Sequence, residues 1–405
     1  MNNFQNGLVS IIRHCPNVEI FLIQRPLGSS FGPVLDTLAT YASRRLHTIH
    51  LNVPGESISK VIWAFNALPN IVAAHIDVDT DVPPIQEIAH LGSAADLQLK
   101  LPYLQQMSLR GFVGAFLEQL GGWDLPMLRT FGIDDGTSLQ DHQDVTEFLK
   151  NHGANLVLLD LNLKNFVNIP LVLDLCPNLQ TFAFNADWRI TQHDNVASSI
   201  VNRPHPQITT IGLHGLTYAF GVGTRYLMAT ESNSFEASYA ARSNDLNMGA
   251  LNKRSFPKLQ RIRLLSRRVL EELNKSNGPS SESGGYDRWV RWWQACAGDQ
   301  IRLEDCTGHS LGTLPGEPEG EEESDDEGDV LEDGDTEDES AEDEEDEEEV
   351  GFEPGDKTRW QTSTTPQVPN VLTQLIREVR AMNETRDEAL IARVRIPRPP
   401  SPWGA

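Results

Sequence analysis

The chain has 405 residues, four cysteines and a formal net charge of −25. It holds no apolar run of about 18 residues, which excludes a membrane-spanning helix, and four cysteines in this length do not make a disulfide framework. The opening MNNFQNGLVSIIRHCPN lacks a basic segment followed by an apolar core and a small-residue cleavage site, so the expected setting is cytoplasmic or nuclear. The first apolar segment, residues 8–12, follows Met1 almost at once and reads as part of a repeat. No polar cap precedes it, so the expectation is that a preceding domain is missing.

From residue 16 onward a signature returns nine times: Pro-x-Φ-x-x-Φ-x-Φ, with Φ a large apolar residue. The copies are PNVEIFLI, RRLHTIHL, PNIVAAHI, PYLQQMSL, PMLRTFGI, ANLVLLDL, PNLQTFAF, PQITTIGL and PKLQRIRL, and seven carry the proline. Their first Φ residues are Val18, Leu46, Ile71, Leu104, Leu128, Leu156, Leu179, Ile208 and Leu259. The last two Φ sites of each copy lie two residues apart, which puts them on one face of a strand. Helical segments are expected between strands, at 34–42, 57–67, 114–120 and 145–150, with Ser57 capping the second. The proline is read as ending each helix and steering the chain into the next strand.

A unit at this period predicts an α/β leucine-rich-repeat solenoid over residues 1–311, a horseshoe with parallel strands on its concave face and helices outside. The competing reading is an ordinary βαβ series. One step between copies, from Ile208 to Leu259, spans 51 residues and holds either a degenerate repeat or a loop insertion near 215–250. A second loop, SNGPSSESGG, occupies 276–285. Then YDRWVRWWQACA reads as a capping helix and QIRLEDCTG as a closing strand, with an exposed pair Trp292 and Trp293 as the alternative.

Beyond the cap, residues 312–367 read as an acidic disordered region, 368–396 as an isolated helix and 397–405 as a Pro-rich tail. The stretch 317–349 holds 23 Asp or Glu in 33 residues; without it the net charge of −25 becomes −2. A basic run, Lys253, Arg254, Lys258, Arg261, Arg263, Arg267 and Arg268, contains no acid and is the expected salt-sensitive counterpart of that tract. A basic protein is the other candidate partner.

No catalytic residue, cofactor or metal site is expected. G-x-S-x-G, Walker and H-E-x-x-H motifs are absent, and GVGTRY lacks the third glycine of a nucleotide fingerprint. Cys296, Cys306 and His309 form C-x9-C-x2-H, which fits no common zinc pattern. Cys15 and Cys176, each in CPN, are expected to pack as small apolar groups.

The expected site is a protein-binding surface on the strand face opposite the Φ residues: His50, Asn52, His75, Asp77, Ser108, Arg110, Asp134, Asp160, Asn162, Asn185 and His214. Polar side chains of mixed sign suit protein recognition rather than a small-ligand pocket, membrane binding or direct nucleic-acid binding. Charge reversal at Asp134 and Asp160 is expected to weaken binding without unfolding the chain.

CPNVEIFLI, CPNLQTFAF, LPNIVAAHI, FPKLQRIRL, the W-x-x-W pattern and IRLEDCTG resemble the irregular leucine-rich repeats of F-box proteins, especially those of mushroom-forming fungi. The resemblance covers about residues 8–311 and implies substrate recognition for a ubiquitin ligase. In that family an N-terminal F-box binds the Skp adaptor. No F-box is found here, so adaptor binding is expected only if an F-box is supplied upstream. Two other readings are an acidic leucine-rich nuclear protein that chaperones basic partners such as histones, and a Ran GTPase-activating type regulator. No asparagine recurs at a fixed site after the third Φ, which argues against the last.

Overall fold

A computed structural model describes residues 2–78, 91–111, 114–134, 143–163, 168–188, 200–231 and 235–311. Ten strands form one parallel sheet: β1 (Ile20–Leu22), β2 (Thr48–Val53), β3 (Ala73–Val78), β4 (Gln106–Arg110), β5 (Thr130–Asp134), β6 (Leu158–Asn162), β7 (Thr181–Asn185), β8 (Thr210–His214), β9 (Arg261–Leu264) and β10 (Arg302–Glu304). Their order in space is their order in the chain. Every crossover therefore advances by one strand in the same sense, and each of the nine copies supplies one strand.

The helices are α1 (Asn2–His14), α2 (Phe31–Tyr41), α3 (Ile58–Ala67), α4 (Gly114–Gly121), α5 (Gln143–His152), α6 (Ile169–Leu175), α7 (Thr224–Glu231), α8 (Phe235–Ala250), α9 (Arg267–Lys275) and α10 (Gly285–Gly298). Successive helices touch in the pairs α1–α2, α2–α3, α4–α5 and α5–α6. The Φ residues face them. Middle-Φ residues stand in register from Phe21 through Ile49, Ala74, Met107, Phe131, Leu159, Phe182 and Ile211 to Ile262 and Leu303. Phe131 meets Phe148 of α5 with ring centroids 4.1 Å apart. The first Φ residues from Leu46 to Leu259 are all 0% exposed, so this row is the centre of the core. Burying one such side chain is worth about 1.5–3 kcal/mol.

The signature's proline has a more local role than ending a helix. The N–H of the first Φ donates to the carbonyl three residues back: Leu104 to Leu101 at 3.2 Å, Leu128 to Leu125 at 3.2 Å, Leu179 to Cys176 at 3.2 Å and Leu259 to Phe256 at 3.0 Å. Proline thus stands second in a four-residue turn, where its fixed φ is favourable and its missing N–H costs nothing. The residue after it links copies: Asn70 Nδ2 donates to Arg44 O at 3.1 Å and Asn178 Nδ2 to Ala154 O at 2.9 Å.

Residues 8–12, expected to belong to a repeat, lie in helix α1, which precedes β1 and packs on α2 as α2 packs on α3. Several other expectations are corrected. Ser57 precedes α3 but makes no side-chain cap bond, because residues 55–57 already form a 3-10 turn. The stretch near 215–250 is not a loop: it carries α7 and α8, and β8 pairs directly with β9, so no described residue of it adds a strand. Residues 276–285 run mainly as turns, held by Ser280 N donating to Phe220 O at 3.0 Å and Tyr286 N to Ser280 O at 2.9 Å. Trp292 is buried against Phe220, and its indole donates to Asp245 at 3.1 Å; it is not an exposed anchor. Cys15 is exposed, whereas Cys176 is buried. The regions 312–367, 368–396 and 397–405 lie outside the described residues.

Candidate functional site

Side chains alternate across a strand, so residues between and after the last two Φ sites share the face away from the helices. All eleven predicted positions fall there, in two rows set by register. One runs His50, His75, Ser108, Gly132, Asp160, Ala183, Gly212, Arg263, Glu304. The other runs Asn52, Asp77, Arg110, Asp134 and Asn162 in register, with Asn185 opposite His214.

An ion pair and hydrogen bonds tie the second row together across the strands. Arg110 Nε lies 3.5 Å from Asp134 Oδ2, Asn162 Nδ2 donates to Asp134 Oδ1 at 2.9 Å, and Asn185 Nδ2 donates to Asn162 Oδ1 at 3.1 Å. Asn185 Oδ1 accepts from Asp187 N at 3.0 Å. Asp187 in turn accepts from Leu216 N at 2.8 Å and from Asn244 Nδ2 at 3.0 Å. His214 Nε2 on β8 reaches across β7 to Asp160 Oδ1 on β6 at 2.7 Å. Alanine and glycine in β7 and β8, Ala183 and Gly212, leave that path open. Gly212 itself has no room for a Cβ, which would sit 2.9 Å from Ala183 Cβ and 2.7 Å from Leu265 Cδ1.

The predicted residues are therefore unequal. His50 and Asn52 are 2% exposed, Asp160 5% and Asp77 9%, so they support the face rather than contact a partner freely. The His50 and His75 rings meet edge to face, with centroids 4.2 Å apart. His75, Ser108, Arg110, Asp134, Asn162, Asn185 and His214 are half-buried and reachable.

The basic run is mostly satisfied from within. Arg263 makes two bonds to the buried carboxylate of Glu304, at 2.7 and 3.2 Å. Arg267 pairs with Glu271 at 3.0 Å and Arg268 with Glu272 at 3.1 Å, while Arg261 donates to Thr210 at 2.8 Å and Lys258 to Gln207 at 3.1 Å. The seven cations are also divided among a turn, β9 and α9. Carboxylates face three of the seven cations, Arg263, Arg267 and Arg268. The pairing of the run with the acidic tract involves residues outside those described.

The sequence matches no protein-family model and no curated protein. Chemistry at the described residues thus stands on geometry alone. Burial pushes the thiols of Cys176 and Cys296 up to about 12, for Cys296 with a smaller push from Asp299. Among the described residues no three His, Cys, Asp or Glu side chains gather as a metal site, and no helix is long and apolar enough to cross a membrane.

Sequence reasoning missed a second polar cluster. Asn247 Nδ2 donates to Ala186 O and Trp188 O, both at 2.8 Å, and Asn244 Nδ2 to Ala186 O at 2.8 Å. These bonds latch α8 onto the exit of β7. Asp245, next along, receives Arg288 at 3.0 Å and Trp292 at 3.1 Å, which ties α8 to α10. The run S-N-D-L-N is the only sequence mark of this latch.

Proposed function

We propose that this chain is a leucine-rich-repeat solenoid working as a non-enzymatic protein-binding scaffold, the substrate-recognition part of an F-box-type ubiquitin-ligase receptor or its F-box-less counterpart. The observation that carries the reading is the polar row from Arg110 to Asn185, joined by one ion pair and two hydrogen bonds, one side chain per strand on the face away from the helices. A fixed row of donors and acceptors of mixed sign suits a folded protein surface, where such groups set register and reject wrong partners. The acidic stretch 317–349 adds a separate electrostatic contact for a basic partner, steering encounter more than adding affinity.

Affinity capture with the wild-type chain and with Asp134→Lys and Arg110→Glu tests the reading. Proteins held by the wild type and lost by both variants support it; identical sets from all three overturn it. The adaptor half is tested separately. Residues 1–405 are expected not to bind the Skp adaptor, and an F-box fused upstream is expected to restore binding because that contact is modular.

A further inference from the structure

The two ends of the sheet are finished differently. Past β10 the chain turns back and covers the free side: Asp305 N donates to His309 O at 2.9 Å, Leu311 N to Leu303 O at 3.0 Å, and Glu304 bridges to Ser310. At the other end β1 pairs only with β2, and no described residue covers its outer side. Glu19 O accepts from His47 N and Thr48 N, at 3.0 and 3.2 Å, and Ile23 N donates to His50 O at 2.8 Å. Residues 19, 21 and 23 thus turn their backbone groups toward β2. By alternation, the N–H and C=O of Ile20 and Leu22 point outward. Their side chains are exposed as well, Ile20 at 54% and Leu22 at 42%, and Glu19 and Arg25 flank them on the surface. Such an edge is a template for strand pairing.

The segment is self-complementary about Leu22. We propose that β1 pairs antiparallel with β1 of a second copy of this chain, around a two-fold axis at Leu22. Leu22 then faces Leu22 of the second copy as a pair exchanging both backbone bonds, because its N–H and C=O are the outward ones. Glu19 and Arg25 each lie three residues from the axis, so Glu19 of either copy stands opposite Arg25 of the other, with opposite charges at both ends of the seam. Ile20 and Leu22 of the two copies form an apolar cluster on the face away from the helices. Pro16 and Pro26 bound the ladder, since neither donates an N–H, and the seam is correspondingly short and reversible.

Sedimentation equilibrium of the full chain, from about 1 μM to 1 mM, tests this. The expected result is a monomer–dimer equilibrium. Glu19→Arg weakens it about tenfold, because two attractive pairs become repulsive, and so does Arg25→Glu. The double variant Glu19→Arg/Arg25→Glu returns to within about threefold of wild type, since the pairs are attractive again with their signs exchanged. That recovery also excludes misfolding of the single variants as the cause. A monomer throughout the range overturns the proposal and leaves the edge to a strand of a different protein. A dimer indifferent to the single reversals, or not restored in the double variant, overturns it equally.

Discussion

Asp160 and Asp134 both sit on the polar face, yet their substitutions have different consequences. Asp160 is buried and holds His214 at 2.7 Å, whereas Asp134 shows 44% of its side chain to solvent. Asp160→Lys forces a cation into a closed site, and His214→Ala takes the imidazole from the buried carboxylate; each is expected to cost about 1–3 kcal/mol in urea unfolding. Asp134→Lys is expected to cost less than about 1 kcal/mol and to act on binding. Equal stability losses at 134 and 160 would contradict this. Two buried histidines set a pH dependence. Burial lowers the pKa of His152 and of His205 below 6.5, against weaker opposing effects of backbone hydrogen bonds at Gly121 and Leu120 for His152 and at Cys176 for His205. Well above pH 6.5 both are neutral in the folded and unfolded chain alike and add no slope. As pH falls below 6.5 the unfolded chain takes up protons first, so stability falls with acid until the folded-state pKa is passed. Thermal melts are expected to be level from pH 8 to 7 and to drop toward pH 5. His152→Gln and His205→Gln should flatten that drop, and an unchanged slope in both would refute the assignment. Thiol chemistry follows burial in the same way: iodoacetamide at pH 8 is expected to label Cys15 first, and Cys176 and Cys296 only after unfolding.

At the scale of elements, what the sequence disclosed was what repeats. Nine copies of one pattern became nine strands, and helices expected at 34–42, 57–67, 114–120 and 145–150 lie at Phe31–Tyr41, Ile58–Ala67, Gly114–Gly121 and Gln143–His152. Each copy carries its own turn and apolar pair, so nearest-neighbour packing repeats the answer. The polar face was legible by position but not by partner, because the contact from His214 to Asp160 depends on small residues, Ala183 of the intervening β7 and Gly212 of β8. Helix α8 was not legible at all. Its sequence FEASYAARSNDLNMGA has no apolar stripe, and polar anchors fix it instead. Asn247→Ala takes the side-chain donor from Trp188 O and leaves the buried Ala186 O to Asn244 alone. A loss of about 1–3 kcal/mol is expected, with faster proteolysis within 224–250. Gly285 marks a similar dependence at the cap. A Cβ there would lie 2.0 Å from Phe220 O, so Gly285→Ala must displace α10 from the chain it crosses.

For the whole molecule, residues 1–311 form one compact unit, and the apolar rows of the sheet end within it at Leu303 of β10, whose outer side residues 308–311 cover. A chain ending at 311 thus keeps all ten described strands, their Φ rows and the Arg263–Glu304 pair. It is expected to melt within about 2 °C of the full chain, a shift of about 1 kcal/mol or less for a unit of this size. A chain ending at 298 loses β10, leaves Arg263 without its carboxylate and opens the side of β9. Its melting is expected to fall by more than about 5 °C, since several kcal/mol of burial and pairing go at once. The same pair of truncations separates the two contacts proposed for binding. If the polar face carries recognition, the chain ending at 311 holds its partner at high salt as the full chain does, and Asp134→Lys abolishes binding in both. If the acidic stretch carries it, truncation at 311 removes binding altogether. Binding of the full chain then falls steeply as salt approaches about 1 M, where the Debye length is only about 3 Å.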